Sequence, residues 1–356
     1  MSPLRSSLML LILAVGCVSK VPAPVSPFPS TRLDIRLDAG EADAALEILR
    51  ARMAGDPVDP GQWERLFGTQ GYLHLKEREA AMGRAFTDSD FRAFMTSDTL
   101  VVRAPDLQRT LPDLERLDVS TAGARALAYL PADTRLSARL YLEIKPRTNT
   151  FVFTGRDSIP SIFLYVDPRR TRGQLENTVA HELHHIGLNS ACPDRPFAAL
   201  SPARATLLRY LGGFGEGQAM LAAAGSPDIH PHATDVDSIQ ARWDRDVSHA
   251  PADIQELSRF FESVLDGTVT SADSVASQAR TYYGVQGPWY TVGWLMASTI
   301  ERELGRQVLV GSLCEPTNFL ALYNTAAQRV NERGGQLPLW NAGLIRRLLT
   351  LRRTAD

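Results

Sequence analysis

The segment His181-Glu182-Leu183-His184-His185 gathers three imidazoles and a carboxylate into five residues. On a helix, His181 and His185 stand four residues apart and project from one face. Two neutral imidazoles at that spacing can fill two corners of a tetrahedral zinc site. Glu182 is rotated by about 100° from His181, off the ligand direction, which suits a general base beside the metal. There it can take a proton from water whose pKa the metal lowers from ~16 towards ~7. These are the residue types and the spacing of the His-Glu-x-x-His motif. His184 also lies near that face, but only the 181/185 pair leaves Glu182 in its usual relation to a metal. His184 is therefore read as a neighbour behind the ligands or at the surface.

A catalytic zinc ion keeps three protein ligands and one open position, so a third ligand must come from elsewhere. A metzincin would carry a His six residues after His185; that position is Ala191, which excludes the class. The leading candidate is Glu216, within Gly212-Gly213-Phe214-Gly215-Glu216-Gly217-Gln218-Ala219. Glycines around one carboxylate permit a close backbone approach to the histidine helix, and two His with one Glu is an established zinc set. Asp194, His230, His232, Asp235 and Asp237 are the other candidates. The same glycines do not make a phosphate loop, because no Gly-Lys-Ser/Thr follows them.

These residues need elements to hold them. Thr171 with Gln174 three residues on has the form of a capping box, opening a helix that carries Leu175, Val179 and the histidines and ends near Gly187 or Asn189. Before it, Leu140-Leu142-Ile144, Phe151-Val152-Phe153 and Ile162 to Val166 read as three short strands, antiparallel because their connections are short. Further upstream, apolar residues at helical spacing from Ala42 to Met53 stop at Gly55-Asp56-Pro57, and helices follow from Trp63 to Glu79 and from Phe91 to Met95. Beyond Pro193 the chain reads as helical to its end, with strong periodic segments over 254–265, 290–304 and 344–351. The expected fold is a helix-rich α+β class, zincin-like, with a small antiparallel sheet beside the motif helix and a mainly helical C-terminal half. The expected organisation is a leader over 1–17, a Pro-rich tether over 18–32, a helical region over 33–135 and a metallopeptidase region over 136–356.

The chain has 356 residues, a formal net charge of -2 and 22% charged residues, so it has no basic excess with which to grip nucleic acid. Arg5, an apolar run over Leu8 to Gly16, and then Cys17 read as a secretory leader ending in a lipobox-like stretch. Lipidation of Cys17 would place the protein on the bacterial cell envelope, periplasmic or on the outer surface; cleavage nearby would release it instead. Pro22, Pro24, Pro27 and Pro29 suit an extended tether. Cys192 and Cys314 are the remaining cysteines, and an oxidising envelope would allow them to pair, although spacing alone leaves that open. The four arginines from Arg346 to Arg353 read as a solvated helix face.

His181-Glu182-x-x-His185, followed by Gly215-Glu216-Gly217-x-Ala219, resembles the gluzincin metallopeptidases, specifically bacterial zinc-dependent peptidases. Tyr290-Thr291-Val292-Gly293, leading to Met296-Ala297 and Ile300-Glu301, is similar to the later part of such proteins. The resemblance spans roughly residues 160–325. In well-studied gluzincins the third ligand lies closer to the first two, on a helix with an Asn-Glu signature that this chain lacks. The resemblance implies a Zn2+ cofactor, a peptide or protein substrate, and Tyr290 as the group that stabilises the oxyanion. Tyr283, His230 and His232 are alternatives for that last role, and the aromatic cluster around Tyr290 also suits a core or cleft wall. The expected function is peptide-bond hydrolysis by a zinc metallopeptidase. Its rivals are a zinc hydrolase of another amide or ester, and a non-catalytic zinc-binding envelope lipoprotein.

Overall fold

The computed structural model describes residues 32–155, 159–192 and 197–355. Cys17, the Pro-rich tether and Asp194 lie outside the described residues. Strand β1 (Leu33–Asp38) comes first, followed by helices α1 (Gly40–Ala54), α2 (Pro60–Gly68), α3 (Gln70–Ala81), α4 (Asp88–Met95), α5 (Asp98–Leu114) and α6 (Val119–Leu127). Strands β2 (Leu136–Glu143), β3 (Phe151–Thr154) and β4 (Pro160–Tyr165) lead into helix α7 (Arg172–Ala191). Then come α8 (Pro202–Tyr210), a 3₁₀ turn over Leu211–Phe214, and α9 (Gly215–Ala224). The chain closes with α10 (Asp237–Ser248), α11 (Ala250–Leu265), α12 (Ala272–Thr281), α13 (Pro288–Leu304), α14 (Arg306–Gly311), α15 (Pro316–Glu332) and α16 (Ala342–Arg353). No helix among the described residues is long and apolar enough to cross a membrane.

The sheet corrects the antiparallel expectation. Its order is β1-β2-β4-β3, with β2 parallel to both β1 and β4 and only β3 antiparallel to β4. The chain does reverse between β2 and β3, as a short connection requires, but it skips one strand position that β4 then fills. Two strand spacings are about 10 Å, a gap that the connecting residues span easily. β1 was not anticipated either, although Leu33, Ile35 and Leu37 alternate with Asp34, Arg36 and Asp38 at the period of a strand. It adds an edge strand to a sheet whose other members lie a hundred residues further on.

Two apolar cores support the structure. The first unites α1 to α6, the sheet and the buried face of α7, including Leu49, Leu107, Leu140, Ile162 and Leu183. The second is formed by the C-terminal helices around Phe214, Phe261, Trp289, Met296 and Trp340. The expected single helix from Trp63 to Glu79 is broken at Thr69, which is extended (φ -69°, ψ 146°) and caps α3 by accepting from the Tyr72 amide. One polar feature is sealed inside the first core. Glu41, in the first turn of α1, accepts from the Ile144 amide at 2.8 Å, and Glu143 stands beside it with both carboxyl oxygens lacking a hydrogen-bond partner.

Candidate metal centre

Helix α7 starts where the sequence places it and runs on past Asn189 to Ala191. Thr171 Oγ1 accepts from the Gln174 amide at 3.3 Å, and Gln174 Oε1 accepts from the Thr171 amide at 2.7 Å. Both sides of the capping box are therefore made, and they fix the rotational start of the helix. Leu175, Val179, Leu183 and Ile186 bury one side against the sheet and α6. That burial turns His181 and His185 towards α9.

Three donor atoms meet in that space. His181 Nε2 and His185 Nε2 are 3.0 Å apart, and each lies 3.2 Å from Glu216 Oε2. A tetrahedral zinc ion with bonds of roughly 2.0–2.1 Å places its ligand atoms about 3.3 Å from one another. The triangle therefore has close to the edge length that a zinc ion needs. No other group of three or more His, Cys, Asp or Glu among the described residues could hold a metal in this way. Burial opposes the charge of Glu216, but hydrogen bonds from the two histidines outweigh it and hold the carboxyl far below its usual range. The same contact raises His185 against the opposing effect of burial. An anionic oxygen facing two imidazole nitrogens is the charge arrangement that a divalent cation would complete.

Glu182 lies beside the triangle, where its charge is felt by both His185 and Tyr290. The Tyr290 hydroxyl lies close enough to Glu216 to be raised by that carboxylate, and its ring lies 6.3 Å from that of His181 and nearly parallel to it. Burial, followed by the charge of Glu216, pushes the Tyr290 hydroxyl well above its ordinary value, so it remains a proton donor across the neutral range. Burial and Glu216 also raise Tyr283, to about 12. His184 is fully buried rather than at the surface, with Nε2 3.3 Å from the Tyr129 carbonyl oxygen. Desolvation, then the two neighbouring histidines, pushes it down to about 3, so it is a neutral packing group behind His181 and His185.

Glycines bring Glu216 into place, but not by the contact that the sequence suggests. A methyl added at Gly217 would lie 2.0 Å from the Trp294 amide nitrogen, and one at Gly293 would lie 2.7 Å from the Phe214 carbonyl oxygen. The close approach is therefore between α9 and α13, whereas Gly215 meets α7 only through ordinary contact with Leu188. This crossing explains the Tyr-x-x-Gly spacing: Gly293 admits α9, and Tyr290, about one turn earlier on α13, faces Glu216. At the other end of α7, Cys192 is joined to Cys314 by a disulfide, with the two Cα atoms 5.1 Å apart.

The remaining candidates fall elsewhere. His230 Nε2 lies 3.2 Å from Asp244, and His232 Nδ1 lies 2.8 Å from Asp235. Asp237 is exposed at the start of α10. None of them enters the triangle. Sequence reasoning missed Gln174 and Gln286 as partners of the His232–Asp235 pair, because residues so far apart in sequence carry no local signal of the contact.

The family model described as "Putative zinc dependent peptidase (DUF5700)" matches residues 63–332, and the chain belongs to that family. No curated protein and no solved structure matches it.

Proposed function

We propose that this chain is a zinc metallopeptidase of gluzincin type with a zincin-like site, in which His181, His185 and Glu216 hold zinc. The observation that carries this reading is the triangle of three donor atoms with Glu182 and Tyr290 beside it. When bound, zinc supplies Lewis-acid polarisation and makes water acidic near neutral pH. Glu182 takes the proton from the attacking water and then passes it to the leaving amine, so that peptide and water become a carboxylic acid and an amine. Tyr290 donates its hydroxyl to the oxygen on which negative charge develops.

The same ligands would serve hydrolysis of another amide or ester, and a peptide panel set against ester substrates separates the two. A purely zinc-holding envelope lipoprotein has no need of Glu182, and the presence of that residue favours catalysis. The disulfide supports an oxidising compartment, in keeping with an envelope protein tethered through Cys17 and acting on peptide or protein there.

Metal analysis and peptide digestion of Glu182→Gln and Glu216→Ala test the assignment. Glu182→Gln is expected to keep its zinc while kcat falls by roughly 10²–10⁴. Glu216→Ala is expected to lose most of its zinc. Full zinc occupancy in Glu216→Ala would remove Glu216 from the ligand set.

A further inference from the structure

Gln286 has φ 61°, a left-handed conformation that a residue with a side chain rarely adopts. It sits in the loop between α12 and α13; Tyr283 within that loop and Tyr290 in the first turn of α13 both feel the charge of Glu216. Strain held at such a position requires surroundings that enforce it. Here they are identifiable. The Gly287 amide closes the turn onto the Tyr283 carbonyl at 2.7 Å, and Arg242 on α10 donates to the Val285 carbonyl at 3.1 Å. The Gln286 side-chain nitrogen lies 2.9 Å from His232 Nε2.

His232 is only 7% exposed, and its own orientation is fixed from behind. Nδ1 lies 2.8 Å from Asp235 Oδ2, and a carboxylate there requires the proton on Nδ1. Nε2 is then left as an acceptor, matched to the Gln286 amide. The other oxygen of Asp235 accepts from Gln174 Nε2 at 2.6 Å, and Gln174 is the capping-box residue of α7. A second tie, from Asn177 Nδ2 to Thr234 Oγ1 at 3.1 Å, clamps the same segment to α7.

We infer that Gln174, Asp235, His232 and Gln286 form a positioning relay running from the first turn of the histidine helix to the loop that sets Tyr290 over the metal centre. The relay rests on the proposed function only in its catalytic consequence; the geometric part stands by itself. Its members touch neither the donor triangle nor the substrate, and they act through Tyr290 and Tyr283. The relay references the tyrosines to the same helix that carries the histidines, so that the two halves of the site move together.

The test uses zinc-loaded full-length protein bearing Gln286→Ala or Asp235→Asn. Asp235→Asn keeps the volume but releases His232 to the tautomer protonated on Nε2, which sets two donors against each other. Both variants are expected to keep full zinc content and to raise amide hydrogen exchange over residues 282–290 by at least tenfold, with α16 unchanged. On a peptide substrate, kcat should fall by tenfold or more while KM stays within twofold. Unchanged exchange over 282–290 in both variants overturns the relay, and so does raised exchange with an unchanged kcat. If the wild type hydrolyses nothing, the hydrolase reading falls and the exchange result alone decides whether the relay holds the loop.

Discussion

At the scale of single residues, the proposed centre divides into groups assigned to hold zinc and groups assigned to act on substrate. Glu216 accepts from both imidazoles and stays ionised, so its loss removes both a proposed ligand and the charge that orients His181 and His185. Tyr290 offers a different test. Tyr290→Phe keeps the ring beside His181 and removes only the donor, and the expected result is kcat lower by roughly 10²–10³ with zinc content unchanged. Steady-state kinetics with parallel metal analysis checks this; an unchanged kcat would return Tyr290 to the role of an aromatic wall. His181, Glu182 and His185 are legible from sequence because four-residue spacing and helix geometry determine each other. Glu216 is legible only as the best of several acids, since its pairing depends on how α9 crosses two other helices. The partners of His232 are not legible at all, because nothing local connects residues 174, 232 and 286.

At the scale of elements, helices announce themselves through caps and periodicity, whereas strand order does not. The capping box at Thr171 is written in the chain, but β4 entering between β2 and β3 is a choice made by the core. The α9–α13 crossing is the element-scale determinant of the site. Gly217→Ala would drive a methyl into the backbone at Trp294, where no side chain can swing aside. A cost of about 2–3 kcal/mol is expected, seen as a Tm lower by roughly 4–12 °C together with weaker zinc retention. The buried pair Glu41–Glu143 makes a separate prediction at the junction of α1 and β2. Burial is the main cause that raises both carboxyls, Glu41 to about 8; Lys145 lowers both, while Glu41 and Glu79 raise Glu143 further. The folded state therefore binds protons more tightly than the unfolded chain. The stabilisation is complete below the ordinary carboxyl range near 4.5 and is lost as pH rises through about 8. Urea midpoints should fall as pH rises from about 4.5 to about 8, and Glu143→Gln should flatten that slope.

At the scale of the whole molecule, the two cores meet at α9, which gives Ala223 to the first and Leu221 and Ala222 to the second, and the disulfide ties the end of α7 to the connection between α14 and α15. The bridge spans 122 residues of chain, and its removal by Cys192→Ser with Cys314→Ser is expected to cost about 2–5 kcal/mol, measured as a lower denaturant midpoint. The parallel pairing of β1 with β2 spans a comparable stretch. Leu33 is opposite Leu136, so six helices must be made before the strand has anywhere to go. Closing a loop of that length costs about 4 kcal/mol of chain entropy, and only an edge strand's contacts offset it. As the chain emerges during synthesis, β1 must wait for β2. In the finished protein β1 is paired along one edge only, so whatever pulls on the N-terminus acts first on that edge of the sheet.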